Sequence, residues 1–239
     1  SSHIFDLSLN KTNSDNEKGR NIHFFSNSKF ILDETFFSES SIDLKIEKVS
    51  NDNYLNLYSL ENSSPIINDT SVLENIIEFS GSQNDFYLDL SLESYETLDK
   101  PNSDRYEFVY PNYSLKKINF FDDKLINSFE FSSSGNQKKY STNVYEAVQV
   151  NDFLLNGTNK ISRVGFNHNF KTIIKNVNSD GKNSTKLKDK SQSEILSMIT
   201  YDIDLPLIKN NNNFNNLLTP KMSLRFSPND TKNLKNESR

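Results

Sequence analysis

The stretch FYLDLSLES, residues 86 to 94, alternates apolar and polar side chains. Successive side chains of a β-strand point to opposite faces, so this pattern predicts a strand with two unlike faces. One face would carry the apolar residues Phe86, Leu88, Leu90 and Leu92. The other would carry the polar residues Tyr87, Asp89, Ser91 and Glu93.

The composition of the whole chain leaves little material for an ordinary core. Only 34% of the 239 residues are hydrophobic, against a usual share of about 45–50%. Such a low value first suggests disorder, but 18 Phe and 10 Tyr argue against it, because disordered chains are poor in aromatic residues. We therefore expect a folded protein whose apolar faces meet something other than a large protein core.

Several functional classes are disfavoured by the same composition. A net charge of -5 provides no basic surface for nucleic acid, so we expect no nucleic-acid partner. The absence of cysteine excludes disulfides, a thiolate nucleophile and cysteine-ligated metals. The three histidines are far apart, and no phosphate-binding glycine loop or Gly-x-Ser-x-Gly motif occurs. We accordingly predict a protein that is not an enzyme and has no catalytic residue, no cofactor and no metal.

His168 is the one histidine that invites a catalytic interpretation. It shares a predicted strand face with Val164, Phe166 and Phe170 in the stretch VGFNHNF. A Ser–His pair of a barrel hydrolase is one interpretation, and a position at the rim of a membrane barrel is the other. The sequence favours the rim position.

Period-2 patterning recurs along the chain in short stretches separated by turn clusters. The predicted strands are Ile4–Leu9, Ile22–Leu32, Ile42–Val49, Tyr54–Leu60, Leu73–Phe79, Phe86–Tyr95, Arg105–Tyr113, Leu125–Phe131, Val144–Leu155, Ile161–Ile174, Ile195–Leu207 and Leu218–Phe226. The predicted turns are GSQND, SSSGNQ, LNGTN, SDGKN and NNNNFNN. No convincing amphipathic helix is present.

This organisation is typical of an outer-membrane β-barrel, whose strands of about ten residues are apolar toward lipid and polar toward the lumen. The lumen-facing candidates are Asp89, Ser91, Glu93, Asp202 and Asp204. The lipid-facing candidates are Phe86, Leu88, Leu90, Ile203 and Leu205. The lysine-rich segment Asn176–Gln192 would be a long extracellular loop, with a periplasmic turn near Asn156–Asn159. A soluble antiparallel sandwich, whose strands also alternate, is the alternative.

Three passages, taken in order, carry a family resemblance. LDETFFSES (residues 32 to 40) is similar to the stretch that opens the barrel region of the LPS-assembly protein family LptD, also called OstA. DRYEFVYPNYSL (104 to 115) resembles a strand of that family with an aromatic-Pro-x-Tyr core, and YDIDLPLIK with LLTPKMSLRFSPND resembles a later strand pair. The similarity is closest to alphaproteobacterial members.

The resemblance implies a fold, a function and partners. Residues 1–239 would form a single partial barrel domain, an antiparallel up-and-down meander of about a dozen strands. The family's periplasmic amino-terminal domain and its carboxy-terminal barrel strands lie outside this sequence. The implied function is insertion of lipopolysaccharide into the outer leaflet of the cell outer membrane. The implied partners are lipopolysaccharide, outer-membrane lipid, an LptE-like plug lipoprotein and, through the amino-terminal domain, the periplasmic lipopolysaccharide bridge. A generic porin or receptor barrel and a soluble β adhesin are the alternatives.

Overall fold

The computed structural model describes residues 1–14, 17–33, 36–60, 64–211 and 214–228. Within these ranges the chain forms fourteen strands and one short helix, α1 (Tyr54–Leu57). The strands are β1 (Ser2–Ser14), β2 (Glu17–Leu32), β3 (Glu39–Val49), β4 (Val72–Gln83), β5 (Phe86–Thr97), β6 (Tyr106–Phe120), β7 (Ile126–Tyr140), β8 (Val144–Gly157), β9 (Lys160–Ile161), β10 (Asn167–Lys182), β11 (Gln192–Asp204), β12 (Leu207–Asn211), β13 (Phe214–Leu218) and β14 (Lys221–Phe226). In the described part of the chain, no helix has the length and apolar character needed to cross a membrane.

Twelve of these strands form one antiparallel sheet in the order β1-β2-β3-β4-β5-β6-β7-β8-β10-β11-β14, with β9 paired to β10. The remaining two, β12 and β13, form a separate hairpin. The sheet is not closed into a barrel, and β1 and β14 lie at its two edges. The predicted all-β, up-and-down open meander is therefore confirmed.

Connections leave the sheet at two opposite ends. We call the upper end the one that carries the connections 50–71, 98–105, 141–143 and 183–191. The lower end carries the connections 33–38, 84–85, 121–125, 158–166 and 205–220. Both ends combine short turns with long connections, so loop length alone does not distinguish an outer from a periplasmic side.

One predicted strand, Tyr54–Leu60, is wrong. Residues 54 to 57 form α1 instead, inside the connection between β3 and β4. Tyr54 and Leu55 are adjacent and both buried, at 3% and 0% exposure. A strand would point these neighbours to opposite faces, whereas a helical turn can bury both against the same cluster.

Two predicted turns are also wrong, because polar residues continue inside long strands. SSSGNQ lies within β7, and most of SDGKN lies within β10, which extends to Lys182. The expected loop Asn176–Gln192 therefore shrinks to the connection 183–191.

Glycine in these two strands accommodates a close neighbour rather than a turn. A Cβ on Gly135 would come within 2.9 Å of the Tyr113 ring. A Cβ on Gly181 would come within 2.8 Å of the Lys188 carbonyl oxygen.

Three further predicted strands are interrupted or end earlier than expected. Residues 162–166 interrupt the predicted strand Ile161–Ile174, and β11 ends at Asp204 rather than Leu207. Pro220 separates β13 from β14, because proline cannot donate a ladder hydrogen bond.

Buried apolar residues form a small cluster at the upper end. Tyr54 and Leu55 of α1 pack there with residues from β2 to β4 and the adjoining connections, namely Phe25, Val49, Ile66, Ile67, Leu73 and Leu98. The Tyr54 hydroxyl lies 3.0 Å from the Ser8 hydroxyl, and the Tyr54 ring is 5.7 Å from that of His23. The connection 50–71 therefore packs against the middle of β1 and β2.

Candidate functional site: a sheet with two unlike faces

The strand register sorts the side chains of the sheet into two faces. Cross-strand partners share a face, so the pairing can be followed from one edge of the sheet to the other. We call the charged face the one that contains Asp43, Glu93, Lys138, Asp152 and Thr200. The apolar face is the opposite one, with Leu7, Phe79, Leu90, Phe153 and Ile199.

Cross-strand ion pairs are distributed over the whole charged face. They join neighbouring strands at N–O distances between 2.6 and 3.2 Å: Lys29–Asp43, Lys45–Glu74, Lys116–Glu130, Lys138–Glu107 and Lys175–Asp152. Opposite charges facing each other stabilise a sheet, whereas like charges would repel. Between β2 and β10 these lysines and carboxylates thus neutralise each other, and Phe25 and Val49 of the buried cluster lie on the same face.

Glu93 is the centre of a hydrogen-bonded group on this face. Its carboxylate accepts hydrogen bonds from the Ser91 hydroxyl at 2.5 Å, the Tyr95 hydroxyl at 2.8 Å and the Asn112 amide at 2.9 Å. The register shift between β5 and β6 falls here, between Ser91 and Glu93. The side-chain network therefore lies at an irregularity of the ladder, where backbone pairing is locally disrupted.

Large apolar side chains of the opposite face are left open. Leu90, Leu92 and Ile199 are 41%, 49% and 49% exposed, whereas Glu47 and Glu146 on the charged face are only 4% and 7% exposed. Leu, Ile and Phe are usually the buried residues of a soluble protein, and Glu is among the exposed ones. Large contiguous apolar surface marks a site of contact with a partner or a membrane. At these positions the burial is inverted relative to a soluble domain.

The register places the residues predicted to face the lumen and those predicted to face lipid on opposite sides. Asp89, Ser91, Glu93, Asp202 and Asp204 all lie on the charged face. Phe86, Leu88, Leu90 and Ile203 lie on the apolar face, and Leu205 follows the end of β11. The two acidic groups are separated by β6, β7, β8 and β10, so they do not form one site. Whether these faces meet water and lipid stays a prediction.

Sequence reasoning missed an ionic cluster at the upper end. The Arg105 guanidinium donates two hydrogen bonds of 2.7 Å to Asp52 and one of 2.7 Å to Glu96. The hydrogen bond from Arg105 lowers the pKa of the Asp52 carboxyl, and the same contact raises the pKa of Arg105. This cluster ties the connection 50–71 to the connection 98–105. Asp52 precedes Arg105 by 53 residues, so no local pattern links it to Glu96 and Arg105.

The connection 183–191 is held against the sheet rather than fully solvated. The Ser184 hydroxyl donates a 2.5 Å hydrogen bond to Glu146 of β8 and accepts hydrogen bonds from the backbone N–H groups of Lys186 and Leu187. The Asn183 amide donates to the Asn143 carbonyl at 3.1 Å. Buried Ser184 therefore anchors this part of the predicted loop Asn176–Gln192 to the sheet.

His168 pairs with a tyrosine of the neighbouring strand. Its Nδ1 lies 2.9 Å from the Tyr201 hydroxyl on the neighbouring strand, near the lower end of the sheet. Among the described residues, no three His, Asp or Glu side chains are grouped in a way that could hold a metal ion.

No known family model matches the chain, and no curated protein matches it.

Proposed function

We propose that this chain forms part of the wall of an outer-membrane β-barrel that transports lipopolysaccharide. The observation that supports it best is the inverted burial of the two faces. The charged face would line an aqueous lumen, and the apolar face would contact lipid acyl chains. An antiparallel meander of long strands has the topology that such walls use.

The lipopolysaccharide substrate is proposed from the resemblance to the LptD family. Transport makes and breaks no covalent bonds, so the chain would only have to solvate the lipopolysaccharide and enclose its path. The ion-paired carboxylates, lysines and amides of the charged face would solvate the polar sugars, while the apolar face keeps the wall in the bilayer. An LptE-like lipoprotein would occupy the lumen.

Heat-modifiable mobility tests the barrel. We expect the full-length protein, extracted in detergent, to migrate faster on a gel before boiling than after it. Depletion of the protein from cells tests the substrate, since lipopolysaccharide should then disappear from the cell surface. Identical mobility with and without boiling would contradict the barrel.

A generic porin or receptor barrel is the second candidate, because the inverted faces favour any outer-membrane barrel equally. Normal surface lipopolysaccharide after depletion, with heat-modifiable mobility retained, would favour it. A soluble adhesin is the third candidate, and it predicts release of the protein from membranes without detergent.

A further inference from the structure

The apolar surface does not follow the strand pairing but crosses the sheet diagonally. One row of paired residues on the apolar face runs from β2 to β11: Phe30, Ile42, Phe79, Leu90, Tyr113, Gly135, Gln149, Asn178 and Ser193. Its first five members, up to β6, are apolar or aromatic. Its last four are glycine or polar. The boundary between apolar and polar surface therefore lies between β6 and β7 along this row.

In β7 to β11 the apolar side chains lie lower on the same face. They are Phe129 and Phe131 of β7, Phe153 and Leu155 of β8, Ile174 of β10, and Ile195, Ile199 and Ile203 of β11. In β1 the apolar residues Phe5, Leu7 and Leu9 lie above the row instead, because they pair with β2 residues on the upper side of Phe30. The band thus lies higher on this face in β1 to β6 than in β7 to β11, and its largest step falls between β6 and β7.

Hydrogen-bonded polar side chains mark the upper border of this band. The Ser133 hydroxyl donates to Asn151 at 2.7 Å, the Asn151 amide donates to Asn176 at 3.1 Å, and the Asn176 amide donates to Ser193 at 3.3 Å. We call these four residues the amide row. Higher on the same face lie the charged residues Lys139, Asp180 and Lys182.

The slope of the band has a physical meaning. The apolar band is centred at the position of Asp89 in β5 and at the position of Ile199 in β11. If Asp89 is followed through its cross-strand partners, however, the residue reached in β11 is Glu194, five residues before Ile199. The offset is thus about one residue per strand. With a rise of about 3.4 Å per residue and a strand spacing of about 4.8 Å, this corresponds to a tilt of roughly 35°. Transmembrane barrel strands tilt by about 35–45°.

The height of the band agrees with the same geometry. From Ile195 to Ile203 the strand rises about 27 Å, or roughly 22 Å along an axis tilted by that angle. The apolar band of a transmembrane barrel is about 25 Å tall. A band that is level in the membrane must cross tilted strands diagonally, as this one does.

From this geometry we infer that the diagonal band is the surface in contact with lipid acyl chains, that the amide row lies at the membrane surface, and that the upper parts of β7, β8 and β10 project out of the bilayer. This inference rests on the proposed membrane wall and adds where the bilayer meets it. It separates two residues of one row: Leu90 lies in hydrocarbon, and Gln149 lies in water.

Single-cysteine spin labels test the inference, because none of the 239 residues is a cysteine. Any cysteine elsewhere in the full-length protein is first changed to serine. Labels on Leu90→Cys, Gln149→Cys and Ile199→Cys of the full-length protein, reconstituted in phosphatidylcholine vesicles, report collisions with oxygen and with a water-soluble nickel chelate. We expect a several-fold higher ratio of oxygen to nickel collisions at positions 90 and 199 than at 149. Leu88→Cys, Asn178→Cys and Tyr201→Cys provide a second set if a variant fails to show heat-modifiable mobility.

Each other outcome overturns a different claim. If the label at 149 is as accessible to oxygen as that at 90, the band follows the pairing and the inference is wrong, while the proposed wall stands. If all three labels favour nickel, the apolar face does not meet lipid, and the proposed function fails with the inference.

Discussion

Glu47 shows how one side chain replaces backbone pairing where β3 and β4 separate. The ladder between them ends at Lys45 and Ile76, and beyond it Glu47 accepts the backbone N–H of Glu74 at 2.7 Å. Glu47→Ala would leave that donor without its acceptor, so we expect a loss of about 1–3 kcal/mol in the free energy of unfolding, measured by urea titration in detergent micelles. The control Asp43→Ala, which removes an exposed ion pair with Lys29, should cost about 0–1 kcal/mol.

Asp52 makes the stability of the upper end depend on pH. Its pKa is lowered by the hydrogen bond from Arg105, so its contribution to stability is present above the carboxyl's ordinary pKa of 3.8. That contribution is lost as the pH falls below 3.8 through the lowered folded-state pKa. We expect Asp52→Asn to lower the melting temperature at pH 7 and to have a smaller effect below pH 3.5. Exposed Asp99, changed to Asn, serves as control, and an equal loss at both pH values would contradict the prediction.

At the scale of the element, β11 carries both sides of the proposed membrane boundary. Ile199 lies in the middle of its apolar band, and Ser193 lies on the same face at the upper end. We expect Ile199→Arg to destabilise the protein by roughly 2–4 kcal/mol in vesicles and Ser193→Arg by roughly 0–1 kcal/mol, because a cation near the bilayer centre loses its hydration. Urea titration of the protein in lipid vesicles measures both. Equal costs would mean that the strand has no buried segment in lipid.

The connection 183–191 has one principal anchor, the Ser184–Glu146 hydrogen bond. In Ser184→Ala the backbone N–H groups of Lys186 and Leu187 also lose their acceptor. We expect trypsin to cleave after Lys186, Lys188 and Lys190 faster than in the parent protein, as followed by mass spectrometry. Ser191→Ala, at the exposed end of the same connection, should leave the cleavage rate unchanged.

Alternation was enough to predict most strands and the partition of residues between their two faces. The pattern gave wrong predictions for residue types that occur both in turns and on polar strand surfaces. Asn, Ser and Gly in β7 and β10 have the composition of turns, yet there they form polar strand surface, and Gly135 makes room for the Tyr113 ring. The band's slope was also beyond a single strand's pattern, because it depends on how neighbouring strands are registered.

At the scale of the whole molecule, the lysines at the upper end predict which end of the sheet faces the outside of the cell. The upper end carries Lys182, Lys186, Lys188 and Lys190, and we predict that it faces outward, where phosphate-bearing headgroups would attract these lysines until salt screens them. An epitope inserted after Lys190 should bind antibody on intact cells. A matched epitope between Asn84 and Asp85, in the lower turn, should bind only after the outer membrane is permeabilised. The opposite result would invert the topology. Gly181 is a poor insertion point, because it lies inside β10 and packs against Lys188.

Because the strands from β1 to β7 pair only with their neighbours in sequence, and β8 pairs with β7 and β10, this part of the sheet is modular. Removal of the hairpin formed by β7 and β8 would bring β6 beside β10 with the antiparallel direction preserved. Each hairpin adds two strand spacings, about 10 Å, to the circumference of the wall. Gain or loss of whole hairpins would therefore be a simple genetic route to a wider or narrower form of the proposed barrel, and it would leave every remaining strand with a partner of the correct polarity.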